Sequence, residues 1–166
     1  MPAKAQPKPA SAATELAALI AKFEPAIRKK FKAVRAALRK RFPTANELVY
    51  EYASSLVISY SPSEHGIQGV VGISATAEDV RLYITHADRL PDPHGILLGK
   101  GSQARYVELA KPSDLKRPEV EALVAAAVKL AKPPLGKTGG GQLIIKATAA
   151  KKRAAGGEGT RKRAGR

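Results

Sequence analysis

The spacing of apolar residues changes once along this chain, near Asn46, and that change restricts the fold to one class. Before it, apolar residues fall at Leu16, Leu19, Ile20, Phe23, Ile27, Phe31, Val34, Leu38 and Phe42. Steps of three and four follow the turn of an α-helix and put these side chains on one face. After it, Leu48–Tyr52 and Leu56–Tyr60 are rich in β-branched, aromatic and aliphatic residues, the composition of strands, with Ser54 and Ser55 at the turn of a hairpin.

The helical part divides at Pro25, which has no N–H to donate and clashes with the turn before it. A first helix capped by Thr14 therefore ends near Glu24, and a second starts at Pro25 and stops by Phe42, ahead of Pro43. Ile67 to Thr76 reads as a third strand, with Gly69 and Gly72 marking a bulge or a close backbone approach. The stretch Val80 to Leu109 reads as two further strands, Val80–Thr85 and Ala104–Leu109, joined by a long turn-rich loop. Pro118 suits the first turn of a helix with apolar positions Val120, Leu123, Val124, Ala127 and Leu130. Leu143-Ile144-Ile145 is a short strand that could extend a sheet edge. Consecutive strands with short links predict an antiparallel sheet, and helices at both ends of the chain can cover one of its faces. The expected fold is α+β, a two-layer sandwich of five to six antiparallel strands with N- and C-terminal helices on one face. The expected domain is 14–146, with a disordered leader at 1–13 and a disordered basic tail at 147–166.

Among 166 residues there is no cysteine, which excludes disulfides, thiolate zinc sites and cysteine nucleophiles. No apolar run is long enough to span a bilayer, and the first residues lack the apolar segment of a secretory signal. A cytoplasmic protein without membrane partners is the expectation.

The formal net charge is +15 and unevenly placed. Residues 22–41 hold nine basic side chains and one acid, Glu24, whereas residues 42–131 are mildly acidic. On the second helix, Arg28, Lys32, Arg35 and Arg39 each follow a core position by one residue, so they form a cationic ridge about 100° round from the buried seam. Lys29, Lys40 and Arg41 extend it, and Lys151, Lys152, Arg153, Arg161, Lys162 and Arg163 add charge in the tail. Like charges at helical spacing repel one another, a cost that phosphate contacts would offset while releasing counterions. These residues form the candidate site, for sequence-independent binding of nucleic acid or another polyanion. No exposed Tyr or Trp recurs on the ridge, so base stacking has little support there.

Other motifs carry less. Gly136-Lys137-Thr138 resembles the end of a phosphate-binding loop, but Ala131 stands where the first glycine belongs and a helix precedes it. Gly99-Lys100-Gly101 fits turn geometry. His86, Asp88, Asp92 and His94 lie close in sequence and suit iron, zinc or manganese, within a segment whose Asp, Pro and Gly residues also suit turns. There is no G-x-S-x-G elbow and no H-E-x-x-H helix, and no catalytic residue is assigned.

Several segments resemble the YdhG-like domain family, a bacterial family of largely unknown function. They are Asn46-Glu47-Leu48-Val49-Tyr50, Val80-Arg81-Leu82-Tyr83-Ile84, Leu90-Pro91-Asp92-Pro93, Gly99-Lys100-Gly101, Arg105-Tyr106-Val107, the Pro118 helix and Gly139 to Lys146 before a basic tail. The resemblance implies a helix-flanked antiparallel sheet. For some members it implies a frataxin-like iron-chaperone role that works through a ridge of carboxylates; here the first long helix carries cations. The leading expectation is a non-enzymatic binding or accessory protein that holds polyanions without a cofactor. The alternatives are iron delivery through the Ala87–Gly95 loop and a small-ligand or enzymatic pocket between sheet and helices.

Overall fold

A computed structural model describes residues 11–148. Residues 1–10 and 149–166 lie outside the described residues, and with them most of the expected leader and tail, including Lys151, Lys152, Arg153, Arg161, Lys162 and Arg163. Helix α1 spans Ala12–Ile20. Its cap is Ser11, whose Oγ accepts the Thr14 N–H at 3.2 Å. The expected cap, Thr14, lies inside the first turn instead, because serine caps equally well and two alanines extend the helix backwards. Helix α2 spans Pro25–Arg41, with Pro25 in its first turn. The Phe42 N–H closes the last turn on the Leu38 carbonyl at 2.8 Å, and Pro43 can donate nothing further. Helix α3 spans Pro118–Leu130. No helix among the described residues is long and apolar enough to cross a membrane.

Six strands follow in chain order: β1 Asn46–Glu51, β2 Leu56–Ser61, β3 Val71–Ala75, β4 Val80–Thr85, β5 Ala104–Glu108 and β6 Leu143–Ala147. The expected third strand is shorter than Ile67 to Thr76. Gly66–Gln68 forms a 3-10 turn, and Ile67 is 94% exposed, so its apolar side chain does not mark a strand. Gly72 is a close-approach position: a Cβ there would sit 3.1 Å from the Ile58 carbonyl oxygen of the adjoining strand.

The sheet order is β5-β4-β3-β2-β1-β6. The first five strands pair antiparallel, but β6 pairs with β1 in parallel, so the sheet is mixed and not wholly antiparallel as the short links suggested. The direction follows from where α3 releases the chain. The Gly141 N–H donates to the Pro43 carbonyl at 3.0 Å, and the Glu47 N–H donates to the Gln142 carbonyl at 2.8 Å. The returning chain thus meets β1 at its start and can only run alongside it.

Strand alternation separates the two faces of the sheet. Val49, Leu56, Ile58, Tyr60, Val71, Ile73, Leu82, Ile84 and Val107 point to one face by register. They share a single buried cluster with Leu16 and Ile20 of α1, Ile27, Phe31, Val34 and Leu38 of α2, and Val120, Leu123, Val124 and Ala127 of α3. All three helices therefore pack on that face, giving a two-layer α+β fold. The opposite face carries half-exposed Arg81, Tyr83 and Tyr106, with the Arg81 guanidinium 4.3 Å from the centre of the Tyr106 ring.

Candidate functional site

The buried seam of α2, from Ile27 to Leu38, fixes the rotation of the helix and so decides which cations face water. Lys29, Lys32 and Lys40 are exposed and Arg28 is half-exposed. None of these four forms an ion pair with a described residue. The structure thus brings Arg28, Lys29, Lys32 and Lys40 to one solvent-facing surface.

Arg35 and Arg39 share the helical spacing but not the surroundings. Glu47 lies on the helix-facing side of β1, in register with Tyr60 of β2, and is buried. Arg35 donates to both of its carboxylate oxygens, Nε to Oε2 at 2.8 Å and Nη2 to Oε1 at 2.9 Å. The Tyr60 hydroxyl donates to Oε2 at 3.0 Å. Arg39 Nε stands 3.5 Å from Oε1 on an otherwise exposed side chain. Arg35 is therefore consumed by folding, while Arg39 keeps most of its guanidinium in water. Burial, and then the negative charge of Glu47, raise the pKa of the Tyr60 phenol, which keeps its proton and remains a donor to the carboxylate.

The C-terminal end of α2 meets the glycine-rich segment that leads into β6. Two shallow clefts of about 400 and 340 Å³ adjoin there and share Phe42 and Pro43. Arg39, Lys40, Glu47 and Gly141 border one cleft; Arg41, Gly136 and Lys137 border the other. The Thr44 hydroxyl donates to the Gly136 carbonyl at 2.6 Å and pins the segment to the corner. Arg41 pairs with Glu121 of α3. Sequence spacing gave no sign of this corner, because its two parts lie about 95 residues apart and meet where the chain returns to pair β6 with β1.

Of the other sequence candidates, Asp92 and His94 border one cleft with Glu119 of α3, and His86 and Asp88 lie outside it. Both oxygens of Asp92 accept backbone N–H groups, from Ile96 at 3.0 Å and Leu97 at 3.1 Å, so its carboxylate folds the loop. Asp88 and His94 are exposed, and His86 takes a left-handed backbone conformation at the start of a 3-10 turn. Among the described residues no three His, Asp or Glu side chains converge as a metal cage. Between sheet and helices the facing side chains form one buried cluster with partly buried residues at its edges, and clefts open at the margins of the sandwich. One such cleft, about 330 Å³, lies between the α1–α2 turn and the β1–β2 hairpin, beside the Lys22–Glu51 ion pair.

No protein-family model, curated protein or solved structure matches the chain.

Proposed function

We propose that this is a non-enzymatic accessory protein that binds nucleic acid, without reading its sequence, through the cationic face of α2 and the basic residues of the tail. One observation carries the reading: Arg28, Lys29, Lys32 and Lys40 share one face of α2 and find no carboxylate among the described residues. A phosphate backbone supplies the missing counter-charge, and it does so at any sequence. Arg39 contributes from the rim of the same face, and Arg35 stays on Glu47. The reading suits a cytoplasmic setting, where nucleic acid is accessible. It takes the resemblance to the YdhG-like family as a guide to the architecture and not to iron handling, since α2 offers cations where a carboxylate ridge would be needed.

The test is fluorescence anisotropy of a labelled mixed-sequence DNA duplex titrated with the full chain. If six or more phosphates are contacted, affinity falls by roughly a thousandfold between about 50 and 200 mM salt. Affinity that ignores salt, or no binding at low salt, removes the proposal.

A further inference from the structure

The residues at the C-terminal end of α2 have an ordinary explanation that covers only part of what is found there. Cations in the last turn complement the negative end of the helix dipole, which accounts for Arg39, Lys40 and Arg41. It does not account for Lys137, which arrives from the segment between α3 and β6 and borders the same corner. Nor does it account for the glycines beside that lysine.

Glycine is needed where the backbone has positive φ or where a Cβ would collide. Gly139 has φ +88°, and at Gly141 a Cβ would run into the Ala45 carbonyl, so both are explained. Gly136 and Gly140 are not. Neither has positive φ; a Cβ at Gly140 would meet nothing within 4 Å, and one at Gly136 would make only an ordinary contact with Thr138. What glycine does provide at such positions is bare backbone that an anion can approach closely. The N–H groups of Lys137, Thr138, Gly139 and Gly140 donate to no described residue, leaving a run of donors on the segment that carries Lys137, which borders one cleft, while Arg39 and Lys40 border the adjoining one. Consecutive free amides beside cations are the chemistry that holds phosphate oxygens. Both adjoining clefts are shallow, which disfavours a small ligand needing most of its surface enclosed and favours one phosphate of a longer chain.

We propose that this corner, with Lys40 and Lys137 on either side of Phe42-Pro43 and the N–H groups of residues 137–140 as further donors, grips a backbone phosphate of the nucleic acid bound along α2. The inference rests on the reading of α2 given above and adds to it a fixed anchoring point.

The deciding measurement is a nitrogen-15 NMR titration of the full chain with a short mixed-sequence DNA duplex, together with anisotropy on two variants. The expected result is that the amide signals of residues 137–140 move together with those of α2. Lys137→Ala should weaken binding roughly fivefold at about 0.1 M salt and flatten the salt dependence by about one unit of slope. Lys100→Ala removes the same charge from the β4–β5 connection and should change affinity by less than about twofold. Duplex binding that leaves the loop amides unmoved, with Lys137→Ala no worse than Lys100→Ala, overturns the anchoring point and leaves the role of α2 standing. Movement of these amides by inorganic phosphate alone, with the duplex shifting only α2, also overturns it and makes the corner a small-anion site. If the duplex does not bind at all, both readings fall together.

Discussion

Arg35 and Glu47 form a two-pronged ion pair across the boundary between α2 and β1, and Tyr60 closes it from the neighbouring strand. A pair this enclosed stabilises little in itself but is costly to break from one side, since the remaining charge stays buried. Arg35→Ala should therefore destabilise the fold by about 3 kcal/mol, measured as a lower urea midpoint. Arg39→Ala removes a 3.5 Å contact from a side chain that is 61% exposed, and should cost less than about 1 kcal/mol. Equal losses in the two variants would mean that Arg35 is not the partner that matters.

Tyr60 gives the pair a signature at alkaline pH. Its folded-state pKa lies above the unfolded phenol value of about 10, through burial and then the charge of Glu47. Below about pH 10 the phenol is protonated in both states, and pH has no leverage on stability through it. Above that, the unfolded chain ionises first, so the folded state loses stability as pH rises. Tyr50 is shifted the same way, chiefly by burial, and adds to the same limb. Urea midpoints taken from pH 8 to about 11 should fall for the parent chain and fall less steeply for Tyr60→Phe. That variant should also be weaker than the parent near neutral pH, by about 1–2 kcal/mol for the lost bond to a charged acceptor.

The exposed cations of α2 can be changed without touching the core. Lys29 and Lys32 are exposed, so Lys29→Glu combined with Lys32→Glu should leave stability within about 0.5 kcal/mol, or raise it slightly by relieving repulsion. The same change should abolish most of the salt-dependent affinity for a DNA duplex. A stable double variant that still binds at full strength would exclude this face as the contact surface.

Gly141 tests the joint between the two ends of the domain. A Cβ there would occupy the space of the Ala45 carbonyl, which is main chain at the threshold of β1 and has little room to give. Gly141→Ala should displace the β6 segment, lower the thermal midpoint and raise hydrogen exchange at the Glu47 amide, which bonds to Gln142. Gly140→Ala, where a Cβ meets nothing within 4 Å, is the matched control and should change neither.

Much of the frame is legible in the sequence. Pro25 and Pro43 bracket α2, Val80–Thr85 alternates as β4, and Pro118 opens α3, because proline geometry and apolar period act locally. Features set by distant partners are not. The direction of β6 depends on where α3 lets go of the chain, and nothing in Leu143-Ile144-Ile145 encodes it. The ridge spacing placed Arg28, Lys32, Arg35 and Arg39 as equals, yet Arg35 and Arg39 meet a carboxylate carried by a strand. One clue was present: Glu47 precedes Val49 by two, so if Val49 faces the core, Glu47 must face it too. A strand that starts at Leu48 leaves that acid outside the pattern, whereas β1 starts at Asn46. Ile67 misled in the opposite sense, since an isolated exposed aliphatic on a turn looks like the start of a strand.

The parallel joining of β6 to β1 has a consequence for how the molecule is made. A ribosome delivers β1 and its hairpin partner early, but the other neighbour of β1 is encoded roughly a hundred residues later. For most of synthesis the nascent sheet must carry Leu48, Val49 and Tyr50 along an unpaired border, the kind of surface on which two growing chains can stick. That border closes only when Leu143–Ala147 arrives to pair with β1.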